Sequence, residues 1–120
     1  MDRRVKAWAT SVVPSSLFLS AISILEREIG LHLLERRDPA QAALLGLWIR
    51  DRVLDSFAGR ILPVDLPVAQ RCATLLVPDP LEDRDSLIAA TALVHGMTLV
   101  TRNVAHFERA GVAILNPWEA

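Results

Sequence analysis

Two carboxylates, Glu26 and Asp85, and the polar group Thr101, Asn103 and His106 are the residues in this 120-residue sequence whose types and settings could do chemistry. Glu26 follows the short apolar run Leu17–Ala21. Thr101-Arg102-Asn103 follows the run Met97–Val100, and His106 comes one turn later. Asp85 opens a long apolar stretch, with Glu82 and Asp83 just before it. If the runs are parallel strands, their polar carboxyl ends are where open parallel sheets bind ligands. Carboxylates converging there suit a hard divalent cation, because Mg2+ and Mn2+ favour oxygen ligands. Such an ion activates water for phosphodiester hydrolysis and offsets the charge that develops.

Every one of these residues also has an ordinary local role. Ser23-Ile24-Leu25-Glu26 has the form of a capping box, which would occupy Glu26 at a helix start. Asp83 or Asp85 would serve as an N-cap, and Asn103 would form a turn. His106 is an ordinary surface or packed histidine by the same standard, and Arg102 a solvated charge. Trp48 and Trp118 read as packing residues, and Cys72, in an apolar helix, as inert core. Spacing by itself does not decide between the two sets of roles.

The elements that must position these groups alternate. A short helix over Val5–Thr10 ends near Pro14, and Leu17–Ala21 fits a buried strand. A helix follows to about Arg36. Asp38-Pro39-Ala40-Gln41 starts another, with an N-cap and Pro at the first helical position. That helix runs to about Phe57, and Ala58-Gly59-Arg60 breaks it. Ile61–Val64 is a short strand, Asp65 caps a helix through Leu76, and Val77-Pro78-Asp79-Pro80 is a loop. A helix from Asp83 or Asp85 ends at Gly96, a glycine suited to the position after a helix. Met97–Thr101 is a strand, Val104–Arg109 a short helical turn, and Val112–Leu115 a last strand. This alternation predicts an α/β fold with a parallel sheet flanked by helices.

Composition narrows the function classes. A hydrophobic content of 52% excludes disorder, which needs low hydrophobicity and high net charge. A net charge of −1 excludes a uniformly basic nucleic-acid surface. One cysteine excludes an internal disulfide framework and a four-cysteine zinc site. No apolar run reaches the roughly 20 residues of a membrane span. The expected product is a single cytoplasmic domain over residues 1–120.

The run Asp85-Ser86-Leu87-Ile88-Ala89-Ala90-Thr91-Ala92-Leu93-Val94-His95-Gly96-Met97-Thr98-Leu99-Val100-Thr101-Arg102-Asn103 strongly resembles the PIN-domain toxins of the VapC type. Four more segments agree in order: Leu17–Ser23 leading into Glu26 and Gly30, Phe57–Asp65, Asn103–Glu108 and Gly111–Trp118. The resemblance implies a PIN-like three-layer fold with a parallel sheet, and a ribonuclease that uses Mg2+ or Mn2+. It implies an RNA substrate, a homodimer and a cognate antitoxin. Glu26 and Asp85 stand at its metal positions. Asn103 stands where many members have another acid, His106 where many have Asp or Glu, and Thr101 beside the site. Arg102 belongs to the same turn as a supporting residue.

Family members open with a strand ending in a Leu-Asp-Thr-Asn-like motif whose Asp binds metal. This sequence has no such segment, so the resemblance implies a sheet without its first, central strand. Two activities are therefore in view. One is a ribonuclease in which Glu26 and Asp85 hold the metal. The other is a catalytically inactive, truncated PIN-like domain that binds only an antitoxin. A non-catalytic regulatory domain would require all five matches to be accidental.

Overall fold

The computed structural model describes residues 2–77 and 83–119. The expected loop at Pro78-Asp79-Pro80, and Glu82 with it, lie outside the described residues. The elements are α1 (Arg3–Ser11), β1 (Leu19–Ser20), α2 (Ala21–Glu35), α3 (Pro39–Trp48), β2 (Ile61–Leu62), α4 (Leu66–Leu75), α5 (Asp83–Val94), β3 (Leu99–Val100), α6 (Val104–Phe107) and β4 (Ile114–Leu115). The chain forms two compact units. One comprises residues 1–17 and 64–120, the other Phe18–Pro63.

In the Phe18–Pro63 unit, β1 and β2 pair in parallel, Leu19 opposite Ile61 and Ser20 opposite Leu62. The Ser20 hydroxyl accepts the Ile22 N–H at 3.1 Å and so caps α2. This corrects the expected capping box at Ser23: the helix begins at Ala21, and Glu26 lies in its second turn. Asp38 caps α3 as predicted, its carboxylate accepting the Gln41 N–H at 3.1 Å. The helix predicted to reach Phe57 instead stops being α-helical at Trp48. It continues as a π-helical stretch over Ile49–Leu54. The wider turn keeps Ile49 and Val53 buried while the chain bends towards Gly59, whose φ is +79°. Ile22 and Ala42 complete the buried apolar set of this unit, and Ser20 is buried as well. α2 packs on α3, and Leu31 lies against Gly46.

The other unit is organised around α5. Ser86, Ala89, Ala90, Thr91 and Ala92 are all buried, so little of this helix's circumference meets water. Ala90 packs with Val68 and Cys72 of α4. Ala89 and Ala92 pack with Phe107, Ala110 and Val112, flanked by Leu99 and Ile114 of the strands. Small side chains permit this close approach on two sides. The Thr91 hydroxyl is satisfied by the Leu87 carbonyl at 2.8 Å.

α5 ends as predicted. Gly96, at φ +64°, lets the Gly96 and Met97 N–H groups reach the Leu93 and Ala92 carbonyls at 3.3 and 2.9 Å. The chain then enters β3, which pairs in parallel with β4, Leu99 opposite Ile114 and Val100 opposite Leu115. The strands are parallel as expected but only two residues long. Among the described residues they form two separate pairs, β1–β2 and β3–β4.

Two glycines give opposite predictions for one substitution. Gly30 lies inside α2, and nothing comes within 4 Å of an added Cβ. Gly30→Ala is expected to raise unfolding free energy by about 0.5–1 kcal/mol through helix propensity. Gly59 has equally open surroundings but a left-handed backbone. Gly59→Ala is expected to lower it by about 1–2 kcal/mol. Urea melts of the two variants check the sign of each change.

Candidate active site

The site residues are described within their own units. Glu26 is an exposed residue of α2 in the Phe18–Pro63 unit. Because Ser20 caps the helix, a local capping role no longer accounts for this carboxylate.

The remaining candidates share the α5 unit. α5 begins at Asp83, so neither Asp83 nor Asp85 is the N-cap anticipated from sequence. Both are first-turn residues, where a carboxylate is favoured by the positive end of the helix dipole. Asp85 points towards α6: His106 Nδ1 is 3.4 Å from its Oδ2. The Asp85 side chain is 19% exposed and that of His106 is 61% exposed. The carboxylate is thus half-covered, and the imidazole lies over it from the solvent side. Among the described residues no Lys or Arg pairs with Asp85, which leaves its charge available to another cation.

Asn103 and Thr101 form the turn that delivers His106. The Thr101 hydroxyl accepts the Asn103 N–H at 3.0 Å. The hydroxyl thus has a local partner in the turn beside the site. Asn103 sits at the N-cap of α6 but makes no side-chain capping bond, so its amide is not committed to holding the helix. Thr101 N–H donates to the Leu115 carbonyl at 3.1 Å, carrying the β3–β4 ladder one residue further. Arg102, expected to be a solvated charge, lies with its Cζ 6.0 Å from the ring centroid of Trp118. Sequence reasoning missed this contact. Its available signal was that the polar residues after the two last strands fall at matching places.

The donor types fit a hard divalent ion. Asp85 offers a carboxylate oxygen with part of its surface open, and His106 adds a nitrogen that Mn2+ accepts more readily than Mg2+ does. Among the described residues no group of three or more His, Cys, Asp or Glu is gathered as a complete ligand set. Any ion held here keeps several waters, as Mg2+ usually does.

Cys72 does not join the chemistry. It is buried in α4, and burial, with a smaller contribution from the Asp83 charge, pushes its thiol up. A raised pKa leaves less thiolate at neutral pH, and the thiolate is the reactive form. In the folded protein Cys72 is expected to react with a disulfide reagent far more slowly than a free thiol, and to reach the free-thiol rate in denaturant. Absorbance of the released thiolate measures both.

The sequence matches the PIN domain family over residues 2–112. It is 38% identical to the VapC ribonuclease Y4jK of Sinorhizobium fredii over 126 residues, covering 98% of this chain and 86% of that protein. It is 36% identical to toxin FitB of Neisseria gonorrhoeae over 122 residues, with 98% and 86% covered. The structure is similar to that of FitAcB from Neisseria gonorrhoeae, with a TM-score of 0.87 at 36% identity, covering 98% of this chain and 86% of that one. It is also similar to FitAB bound to an IR36 DNA fragment, with a TM-score of 0.86 at 37% identity, covering 98% and 84%.

Proposed function

The chain belongs to the PIN domain family, and from that premise we propose that it is a ribonuclease toxin of the VapC type that uses Mg2+ or Mn2+. The observation that carries the reading is Asp85. Its carboxylate is half-covered at the start of a buried helix, without a Lys or Arg partner among the described residues, and His106 lies against one oxygen. Purely structural carboxylates of this kind more often cap a helix or meet a basic side chain. When bound, the ion lowers the pKa of a coordinated water and polarises the phosphate.

The chain's own residues divide the remaining work. Asp85 and Glu26 supply oxygen ligands, each at a family metal position. His106 holds Asp85 in one orientation through Oδ2. Asn103 presents an uncommitted amide that can donate to a phosphate oxygen, and Thr101 fixes the turn that carries it. A net charge of −1 agrees with phosphate engagement through such local groups rather than through a broadly basic surface.

The antitoxin and homodimer belong to the same proposal. α2 exposes Leu25, Ile29 and Leu33 at 45%, 38% and 60%, spaced four residues apart along the helix. α3 exposes Leu44, Leu47 and Trp48 at 62%, 48% and 49%. Apolar faces of this kind mark protein contacts. They equally support the second reading, a catalytically inactive domain that only binds an antitoxin. Among the described residues no helix is long and apolar enough to cross a membrane.

RNA cleavage with Mn2+ separates the two readings. Asp85→Asn and Glu26→Gln are each expected to lower kcat/KM on the order of a hundredfold or more, as loss of a charge-stabilising group does. Thermal melts should stay close to the parent's. Calorimetric Mn2+ titration should lose its heat in both variants. Full metal-dependent cleavage by either variant would remove that residue from the site. A folded parent that binds antitoxin and cuts no RNA would establish the inactive reading.

A further inference from the structure

We infer that Trp118 and Arg102 form a stacking subsite for a base of single-stranded RNA, beside the site built on Asp85. The inference rests on the ribonuclease reading and names how its substrate is gripped.

The argument starts from the two last strands. β3 and β4 run parallel, so their carboxyl ends emerge side by side, and the Thr101-to-Leu115 hydrogen bond at 3.1 Å ties those ends together. Arg102 leaves the end of β3, and Trp118 follows the end of β4 after Asn116 and Pro117. Their contact, Cζ to ring centroid at 6.0 Å, joins the two turns. The Asn103 and His106 positions continue directly from Arg102, and His106 reaches Asp85. Aromatic ring, guanidinium, uncommitted amide and carboxylate therefore follow one another along the carboxyl end of one parallel pair, where sheets of this class bind ligands.

Trp118 is built to stay in place without being core. Pro117 is fully buried and anchors the turn. The Asn116 side-chain oxygen accepts the Trp118 N–H at 3.0 Å and fixes the backbone next to it. The ring is half-buried, and it belongs to neither of the apolar clusters around α5. A held, half-open indole with an exposed guanidinium over it is a platform that bases recognise. Splayed RNA bases stack on aromatic rings and on Arg planes. Stacking also suits a chain of net charge −1: it draws on the base's π-face and not on phosphate charge, so it grips single strands where a basic surface is lacking.

Metal-free binding isolates the subsite from cleavage. The full chain carrying Trp8→Phe and Trp48→Phe leaves Trp118 as the sole indole fluorophore. It is titrated in chelator with a uridine dodecamer, and with a dodecamer of the same backbone lacking all bases. The base-bearing strand should quench Trp118, and the abasic strand should not. In the native chain, anisotropy of an end-labelled uridine dodecamer should show Kd rising about tenfold for Trp118→Ala and about two- to threefold for Trp118→Phe. Arg102→Lys keeps the charge but loses the planar group, and should also weaken base-bearing strands more than abasic ones.

With Mn2+ present, Trp118→Phe and Arg102→Lys should raise KM and leave kcat nearly unchanged. Equal Kd for parent, Trp118→Phe and Arg102→Lys would overturn the subsite, as would equal binding of abasic and base-bearing strands or no binding of either. Cleavage that persists in that case leaves the ribonuclease reading standing. Base-dependent quenching by a chain that never cuts RNA would sustain the subsite and remove the ribonuclease reading.

Discussion

Helix α5 is enclosed by protein along most of its length, and the arrangement of its unit follows from that. A helix approached on several sides must carry small side chains there, and Ser86, Ala89, Ala90 and Ala92 meet that requirement. α4 closes on one side through Val68 and Cys72, and the strands and the α6 region on another through Phe107 and Val112. Such a helix has little room for charge except at its ends. Asp85, in the first turn, is the last charged residue before the uncharged stretch Ser86–Val94 of the helix begins. Its half-covered state is a consequence of how α5 is buried. The same enclosure fixes α6 through Phe107, and so brings His106 to the Asp85 carboxylate.

Much of the fold was legible because its boundaries depend on short-range chemistry. Asp38 and Asp65 each accept an N–H three residues on, at 3.1 and 3.2 Å. Gly96 takes the positive φ its position after α5 demands. Such signals lie within a few residues and can be read one at a time. The strands were less legible. Apolar runs of four or five residues report burial, whereas the ladders pair only two residues each. Pairing depends on a neighbour that a local pattern does not contain. The π-helical stretch after Trp48 escaped for a similar reason. Ile49 and Val53 have the spacing of an α-helical face, and only the packing of that unit shows that the turn widened.

The site shows the same division. Glu26 and Asp85 were singled out as candidates by residue type and by resemblance, and the structure then altered their local context. Both had a bland explanation as capping residues. Ser20 takes the cap of α2 and the start of α5 falls at Asp83, so neither explanation survives. A carboxylate placed beyond the cap of its helix is a different object from one that completes a capping box, even though the two sequences are identical. The Asp85–His106 contact was invisible from sequence, since it joins residues on two helices separated by a whole strand. Thr101 moved the other way: its hydroxyl serves the turn that leads into Asn103 and His106.

These placements bear on how a nearly neutral chain could engage a polyanion. Phosphate attraction from a diffuse basic surface scales with the number of charges and is screened by salt. A net charge of −1 leaves that term small, so affinity has to come from groups that are fixed before the strand arrives. The turns after β3 and β4 are fixed in this way, by the Thr101–Asn103 and Asn116–Trp118 hydrogen bonds and by the ladder between them. Prior fixing lowers the ordering cost of binding, which otherwise offsets each contact. The short parallel ladder therefore does more for this unit than its two residue pairs suggest. It sets the spacing of two polar turns, and with them the distance over which a strand of RNA would have to be bound.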